Sequence, residues 1–540
     1  MAKDLSTPAV LSGPGLSTTG FVDDPRPHAA VIGAGLGGLA AAMRLGAKGY
    51  RVTIFDKLDM PGGRGSAIWK DGHRFDLGPT IVTVPQVFRK LWADCGRDFD
   101  ADVDLRALDP FYEIRWPDGS SFTMSADEGA VRSEIARLSP ADEPGYERFL
   151  ADAERRYSFG FEGLGRRSMH QLWELIKVLP RFAWLRADRS VYAHAARRFR
   201  DERLRMAFSF HPLFIGGDPF RVTSMYILVS HLEKAFGVHY SMGGVQALAR
   251  AMADVVTSQG GALRFGAEVD EILLTGDGKH ARTTGVQLAG GEVVAADIVV
   301  SNADAGHTYD RLLRRQGKRR WSRARLRRSR WSMGLFVWYF GTRGTRGLWR
   351  DVGHHTVLNG PRYHGLVDDI FIKGKLAEDM SLYVHRPSVT DPSCAPEGGD
   401  TFYALSPVPH LGHRGRGPDW TEIAESYRAR VQSVLEDQLL PGLGDHLTAS
   451  EVFTPETFRD RYLSPHGSGF SIEPRIFQSA WFRPHNISEE ARGLFLVGAG
   501  THPGAGLPGV VASAEVLAKL VPDVNPVRLP LSGAQKMAAE

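Results

Sequence analysis

The sequence predicts an α/β protein: a nucleotide-binding parallel sheet whose chain is interrupted by a second, mixed unit of sheet and helices. Three observations carry that expectation. An apolar strand runs into a glycine-rich turn and a helix near residue 33, and a similar strand and turn, LFLVGAGTHPGAGLPGV, recurs at 494–510. Between them, residues 240–305 again read as helix, strands and hairpin. A chain of 540 residues exceeds what one simple core fills, so two or three units are expected. With 43% hydrophobic and 24% charged residues the composition is that of an ordinary globular protein.

The first turn is the most informative. After His28–Ile32 come Gly33, Gly35, Gly37 and Gly38, a helix pattern, and a strand, RVTIFD, that ends on Asp56. This is strand, GxGxxG, helix, strand and acid, the acid standing about 20 residues after the first glycine. Gly33 permits the tight turn, Gly35 lets backbone approach a pyrophosphate, and Gly38 lets the helix pack on the strand with its N-terminus toward phosphate. Asp56 is placed to bond ribose hydroxyls, and Lys57 comes next as a further cofactor-binding candidate. The unit is therefore Rossmann-type. FAD and NAD share this opening, and the next residues separate them. A Gly62-Gly63-Arg64 turn so close behind suits a second part of a long, bent cofactor, with Gly63 and Arg64 as its contacts. An ordinary Pro-Gly turn is the competing reading.

The rest of the chain constrains partners. Net charge is +4, from 66 Lys and Arg against 62 Asp and Glu, which gives no global argument for nucleic acid. Cys95 and Cys394 are the only cysteines, too few for a metal knot or disulfide scaffold, as expected of a reduced, cytoplasm-facing protein. The first 27 residues, rich in Ser, Thr, Gly and Pro, read as a flexible tail with no signal peptide. No run of about 20 apolar residues predicts a transmembrane helix. Residues 111–239 are helical by pattern, and 306–484 hold apolar strand-like runs such as SMGLFVWYFG, able to wall a cavity or to form a plain sheet core. The run at 311–330 holds ten Arg and one Lys: a solvated helix face, a rest on anionic lipid, or a nucleic-acid contact that no recognition fold supports. HQLWELIKVLPRFAWL, with Trp173, Ile176, Phe182 and Trp184, has the composition of an interfacial helix or of a core-packing one.

The strings VIGAGLGGLAAA, FDKLDMPGGR and FDLGPT resemble the amine-oxidase and phytoene-desaturase group of flavoproteins, in which the acid is more often Glu than Asp. DERLRMAFSFHPLFIGGDPF, FTPETFRDRYLSPHGSGFSIEP, QSAWFRPHN and VGAGTHPGAGLPGV narrow this to bacterial phytoene desaturases, closest in look to those of purple photosynthetic bacteria, over about residues 28–520. The resemblance implies non-covalent FAD, with Val269 near the adenine end; alternatively, Val269 is a plain sheet residue. It also implies that the second turn, through Gly498, Gly500, Gly509 and Val510, returns to the same cofactor and sets a helix N-terminus near the flavin. The domains expected are tails at 1–27 and 523–540; an FAD-binding domain from 28–110, 240–305 and 485–522; a helical membrane or substrate region at 111–239; and a substrate-binding sheet domain at 306–484.

The activity implied is successive dehydrogenation of phytoene to neurosporene or lycopene, on the cytoplasmic side of a membrane to which the protein is peripheral. Electrons leave to oxygen or a quinone; the oligomeric state is left open. Chemistry agrees, since an unactivated hydrocarbon fits hydride transfer to flavin N5 with a proton lost from the neighbouring carbon. No acid–base triad is expected, and no metal. Glu154 is a candidate proton acceptor, against the reading of a solvated helix charge. Alternatives are a late-pathway desaturase acting on hydroxylated or methoxylated carotenoids, a carotenoid isomerase of the same fold, a related amine oxidase, and a non-catalytic carotenoid-binding protein.

Overall fold

The computed structural model describes residues 24–314, 320–413 and 417–524. Most of both expected tails, and the centre of the basic run at 315–319, lie outside the described residues.

β1 (His28–Ile32) is buried at every position, and so is α1 (Leu36–Ala47) over its first ten residues. With β2 (Arg51–Phe55) they form the opening βαβ unit. The sheet they belong to has five parallel strands, in the order Leu494–Leu496, Ile298–Ser301, β1, β2, Ala262–Arg264. Parallel strands need cover on both faces, which explains their continuous apolar runs. One face carries α1 between Gly244–Ser258 and the last helix, Leu507–Leu520, joined in one apolar core. The other carries an antiparallel sheet of Val269–Thr275, Arg282–Leu288 and Val293–Ala295, with its own core.

The second unit is a seven-stranded mixed sheet. Its order is Leu447–Phe453, Gly334–Thr342, Asp400–Val408, Leu382–His385, His355–Leu358, Tyr112–Arg115, Ser121–Met124. Only the pairing of His355–Leu358 with Tyr112–Arg115 is parallel. The last two strands come from the segment read in sequence as helical, so the sheet draws on both insertions. Gly334–Thr342 is buried on both faces, and its side chains divide by the two-residue strand period. Phe336, Trp338 and Phe340 pack toward the helix Trp420–Gln438, while Leu335, Val337 and Tyr339 face the helical insertion.

That insertion includes Glu143–Arg156, which unwinds into a wider π-helical stretch, Tyr157–Leu164, and the helix Leu172–Trp184 with Pro180 inside it. Among the described residues no helix is long and apolar enough to cross a membrane.

Candidate active site

A cavity of about 640 Å³ runs between the two sheets. The glycine turns close one end of it.

At the first turn, Gly33 takes φ +94 and its N–H donates to the Phe55 carbonyl at 2.7 Å. A Cβ on Gly38 would lie 2.0 Å from the Gly33 carbonyl oxygen, so only glycine lets α1 sit this close. Cβ atoms on Gly35 and Gly37 would meet the Asn302 side chain at 2.9 and 2.5 Å. Gly33, Gly35 and Gly37 line the cavity; Gly38 does not and serves packing. Asp56 also lines it, its carboxylate accepting the Ala34 N–H at 2.6 Å and the Leu58 N–H at 2.8 Å. Burial nevertheless pushes its pKa up, outweighing those bonds and the charge of Lys57. Lys57 lines the same end, 4.0 Å from Glu268 and 3.0 Å from the Asp460 carbonyl. Val269 opens the first strand of the antiparallel sheet, buried and on the cavity wall.

Gly62 and Gly63 turn with positive φ against the first loop, Gly62 N–H donating to the Ala34 carbonyl at 2.9 Å. This brings Gly63 and Arg64 onto the wall. Arg64 is half-buried; its guanidinium bonds the Ser464 hydroxyl and keeps a buried Nε–H without a partner among the described residues. Burial lowers its pKa from the ordinary arginine value.

The second turn divides. Gly498 and Gly500 do not line the cavity. A Cβ on Gly498 would stand 2.6 Å from Asn302 Oδ1, and one on Gly500 2.8 Å from Ser471 Oγ. Gly504, Gly506, Gly509 and Val510 do line it, where Leu507–Leu520 begins. A helix N-terminus there presents a partial positive charge. Open backbone at Gly35, an unpartnered buried guanidinium N–H and this helix end together suit a long cofactor with an anionic middle.

Beyond the cradle the walls are mainly apolar and aromatic, from Phe214, Leu335, Val337, Tyr383, Tyr403 and Phe470. Thr80 bonds the Tyr383 and Tyr403 hydroxyls at 3.2 and 3.0 Å. His211 and Glu233 interrupt this lining, 3.1 Å apart. Sequence reading missed both, because no motif links residues so placed on a turn and a helix. It also missed Asn302, whose only signal is a polar residue after an apolar strand. Glu154 is corrected: it is exposed and not among the wall residues, since its helix turns Asp152 and Ala153 inward instead. Asp152 is held by His194 at 2.9 Å and Arg198 at 2.6 Å, a structural cluster off the cavity.

Leu175, Leu179, Phe182, Ile476 and Phe477 form the far end. There the helix Leu172–Trp184 buries only Leu175. Leu172, Trp173, Ile176, Leu179 and Trp184 are 46–59% exposed, and Phe477 is 74% exposed, so this is not a core-packing helix. In the basic run, Arg314 pairs with Asp270, Arg320 with Glu489 and Arg323 with Asp310, while Trp321 and Leu326 are buried.

The chain matches the model of the flavin-containing amine oxidoreductase family over residues 36–521. It is 69% identical to a neurosporene-forming phytoene desaturase of Cereibacter sphaeroides, covering 95% of this chain and 98% of that one. It is 66% identical to the neurosporene-forming enzyme of Rhodobacter capsulatus, over 92% and 94%. A lycopene-forming phytoene desaturase of a Paracoccus species is 44% identical over 91% and 97%. Among solved structures, a putrescine oxidase variant superposes with TM-score 0.61 at 13% identity, covering 95% of this chain and 99% of that one, a likeness of fold.

Proposed function

The chain belongs to the flavin-containing amine oxidoreductase family, in its phytoene desaturase branch, and from that premise we propose that it dehydrogenates phytoene in successive steps, ending at neurosporene. The observation that carries this reading is one cavity joining the glycine cradle to a mainly apolar sleeve whose far end lies under exposed aromatic side chains. A C40 hydrocarbon offers no charge or hydrogen-bonding group, and the sleeve supplies area rather than polar recognition.

The cofactor is FAD, which supplies the hydride acceptor when bound. The chain's own residues do the rest. Gly35 and Gly63 would clear backbone for its pyrophosphate, the Arg64 guanidinium would meet that charge, and Asp56 would hold the ribose. The N-terminus of Leu507–Leu520 would serve the flavin ring, and the aromatic walls exclude water around the reacting carbons. Electrons leave to oxygen or a quinone.

The helix Leu172–Trp184 lies in a lipid surface, with Lys177 and Arg181 over Trp173 and Trp184 as its interfacial anchors. Product analysis after co-expression with a phytoene source tests the activity. Neurosporene as the end product is expected; lycopene corrects the step number, and unchanged phytoene overturns the reading.

A further inference from the structure

Forming a carbon–carbon double bond by dehydrogenation releases two hydrogens as unlike species. One carbon gives up a hydride, which the flavin takes with two electrons; its neighbour gives up a proton, which needs a base in a dry cavity. Apart from the cradle, the lining offers few groups able to accept one.

We propose that His211 is that base, oriented by Glu233. This rests on the proposed dehydrogenase activity. His211 is 2% exposed and Glu233 3%, and both line the cavity. His211 Nε2 is 3.1 Å from Glu233 Oε2, which also accepts the Tyr112 hydroxyl at 2.9 Å. The Tyr112 hydroxyl, 3.3 Å from Nε2, gives its own proton to Glu233 Oε2, and a carboxylate accepts only, so the neutral ring carries its proton on Nε2 and its lone pair on Nδ1. Among the described residues Nδ1 has no hydrogen-bond partner, and it is buried. The ring plane is held by Phe210, stacked at 4.5 Å, and Phe210 in turn meets Tyr112 edge-on. The tautomer and the orientation are thus both set before substrate enters.

Position agrees. His211 begins the short 3-10 turn His211–Ile215, and Ile215 Cγ2 lies 3.5 Å from where a Cβ on Gly506 would stand. Four residues of 3-10 helix rise about 8 Å, so His211 is roughly that far along the wall from the turn that begins the last helix.

The other wall groups serve less well. Tyr383 and Tyr403 already bond Thr80, and burial raises both phenols, which therefore keep their protons. His502 has an unpartnered Nδ1 too, but its Nε2 faces the Leu164 and Arg167 carbonyls, and burial pulls it down to about 4. Among the described residues no carboxylate bonds His502 to stabilise its imidazolium. Glu233 does that for His211: as the C–H bond breaks, Nδ1 takes the proton, the new cation lies against the carboxylate, and the electron pair left on carbon forms the double bond.

The test is anaerobic flavin bleaching by phytoene in liposomes. The wild-type holoenzyme must bleach; if it does not, the dehydrogenase reading fails before His211 is questioned. His211→Gln should bind flavin fully and bleach about 100-fold more slowly. Glu233→Gln should slow it about 10-fold and enlarge the isotope effect of deuterium at the proton-losing carbon, which a merely structural role would leave unchanged. Bleaching by flavin-loaded His211→Gln within about threefold of wild type overturns the proposal. If that variant does not hold flavin, an unaltered rate and isotope effect in Glu233→Gln overturns it instead.

Discussion

The two glycine-rich turns look alike as strings and differ in what their glycines face. In the first, Gly33, Gly35 and Gly37 open backbone to the cavity, and Gly38 admits α1 onto Gly33. In the second, Gly498 and Gly500 make room for Asn302 and Ser471, and only the later part, from Gly504, reaches the cavity. Asn302 stands against both turns. A glycine motif therefore reports that something approaches closely; whether it is ligand or protein depends on topology.

Substitutions can break or sharpen that contrast. Gly38→Ala should be the most damaging, because its Cβ meets a backbone oxygen at 2.0 Å that cannot move aside. The expected loss exceeds about 4 kcal/mol, read as absence of folded flavoprotein; a well-folded variant would sink the packing argument. Gly35→Ala meets a movable side-chain amide, so the protein should fold and lose flavin. Full flavin occupancy in that variant would show that the first turn is no more than a packing turn.

Glu473 tests the backing of the second turn. Arg483 bonds the Ile472 carbonyl at 3.0 Å and the Ala499 carbonyl at 2.7 Å, tying the two segments together. Burial raises Glu473 to about 7 from 4.5, outweighing its bond to Arg475. The folded state thus holds a proton that the unfolded chain releases. Its contribution is full below about pH 4.5 and is lost as pH rises through 7. Denaturant unfolding across that window should show a decline of roughly 1–3 kcal/mol that Glu473→Gln removes. Gly498→Ala is expected to cost about 1 kcal/mol with flavin affinity kept; weakened flavin binding would make the two turns equivalent after all. Smallest, the pair Trp173→Ala and Trp184→Ala should leave stability within about 0.5 kcal/mol while reducing sedimentation with lipid vesicles.

The glycine turns at the closed end of the cavity were legible because their information is local: Gly33 to Asp56 is one βαβ unit, and Gly62 to Arg64 comes within a few residues of it. The remainder depends on distant pairing. Tyr112–Arg115 and Ser121–Met124 are short strands in a helical stretch, and their sheet partner begins at His355. His211 and Glu233 meet because a turn and a helix converge, and nothing in either segment announces it. Glu154, the candidate proton acceptor, shows the same limit: the helix phase turns it outward, as the solvated-charge reading has it.

The strand order of the parallel sheet sets a clock. β1 lies between Ile298–Ser301 and β2, and the edge strand Leu494–Leu496 completes the sheet near the end of the described chain. At roughly 5–20 residues per second of synthesis, β1 leaves the ribosome on the order of 25–90 s before that strand exists. Throughout that interval an apolar strand edge, first of β1 and then of Ile298–Ser301, has no native neighbour on one side, and the cradle cannot retain its cofactor. Yield in a heterologous host should therefore respond to chaperone supply during synthesis, and adding flavin afterwards should not replace it.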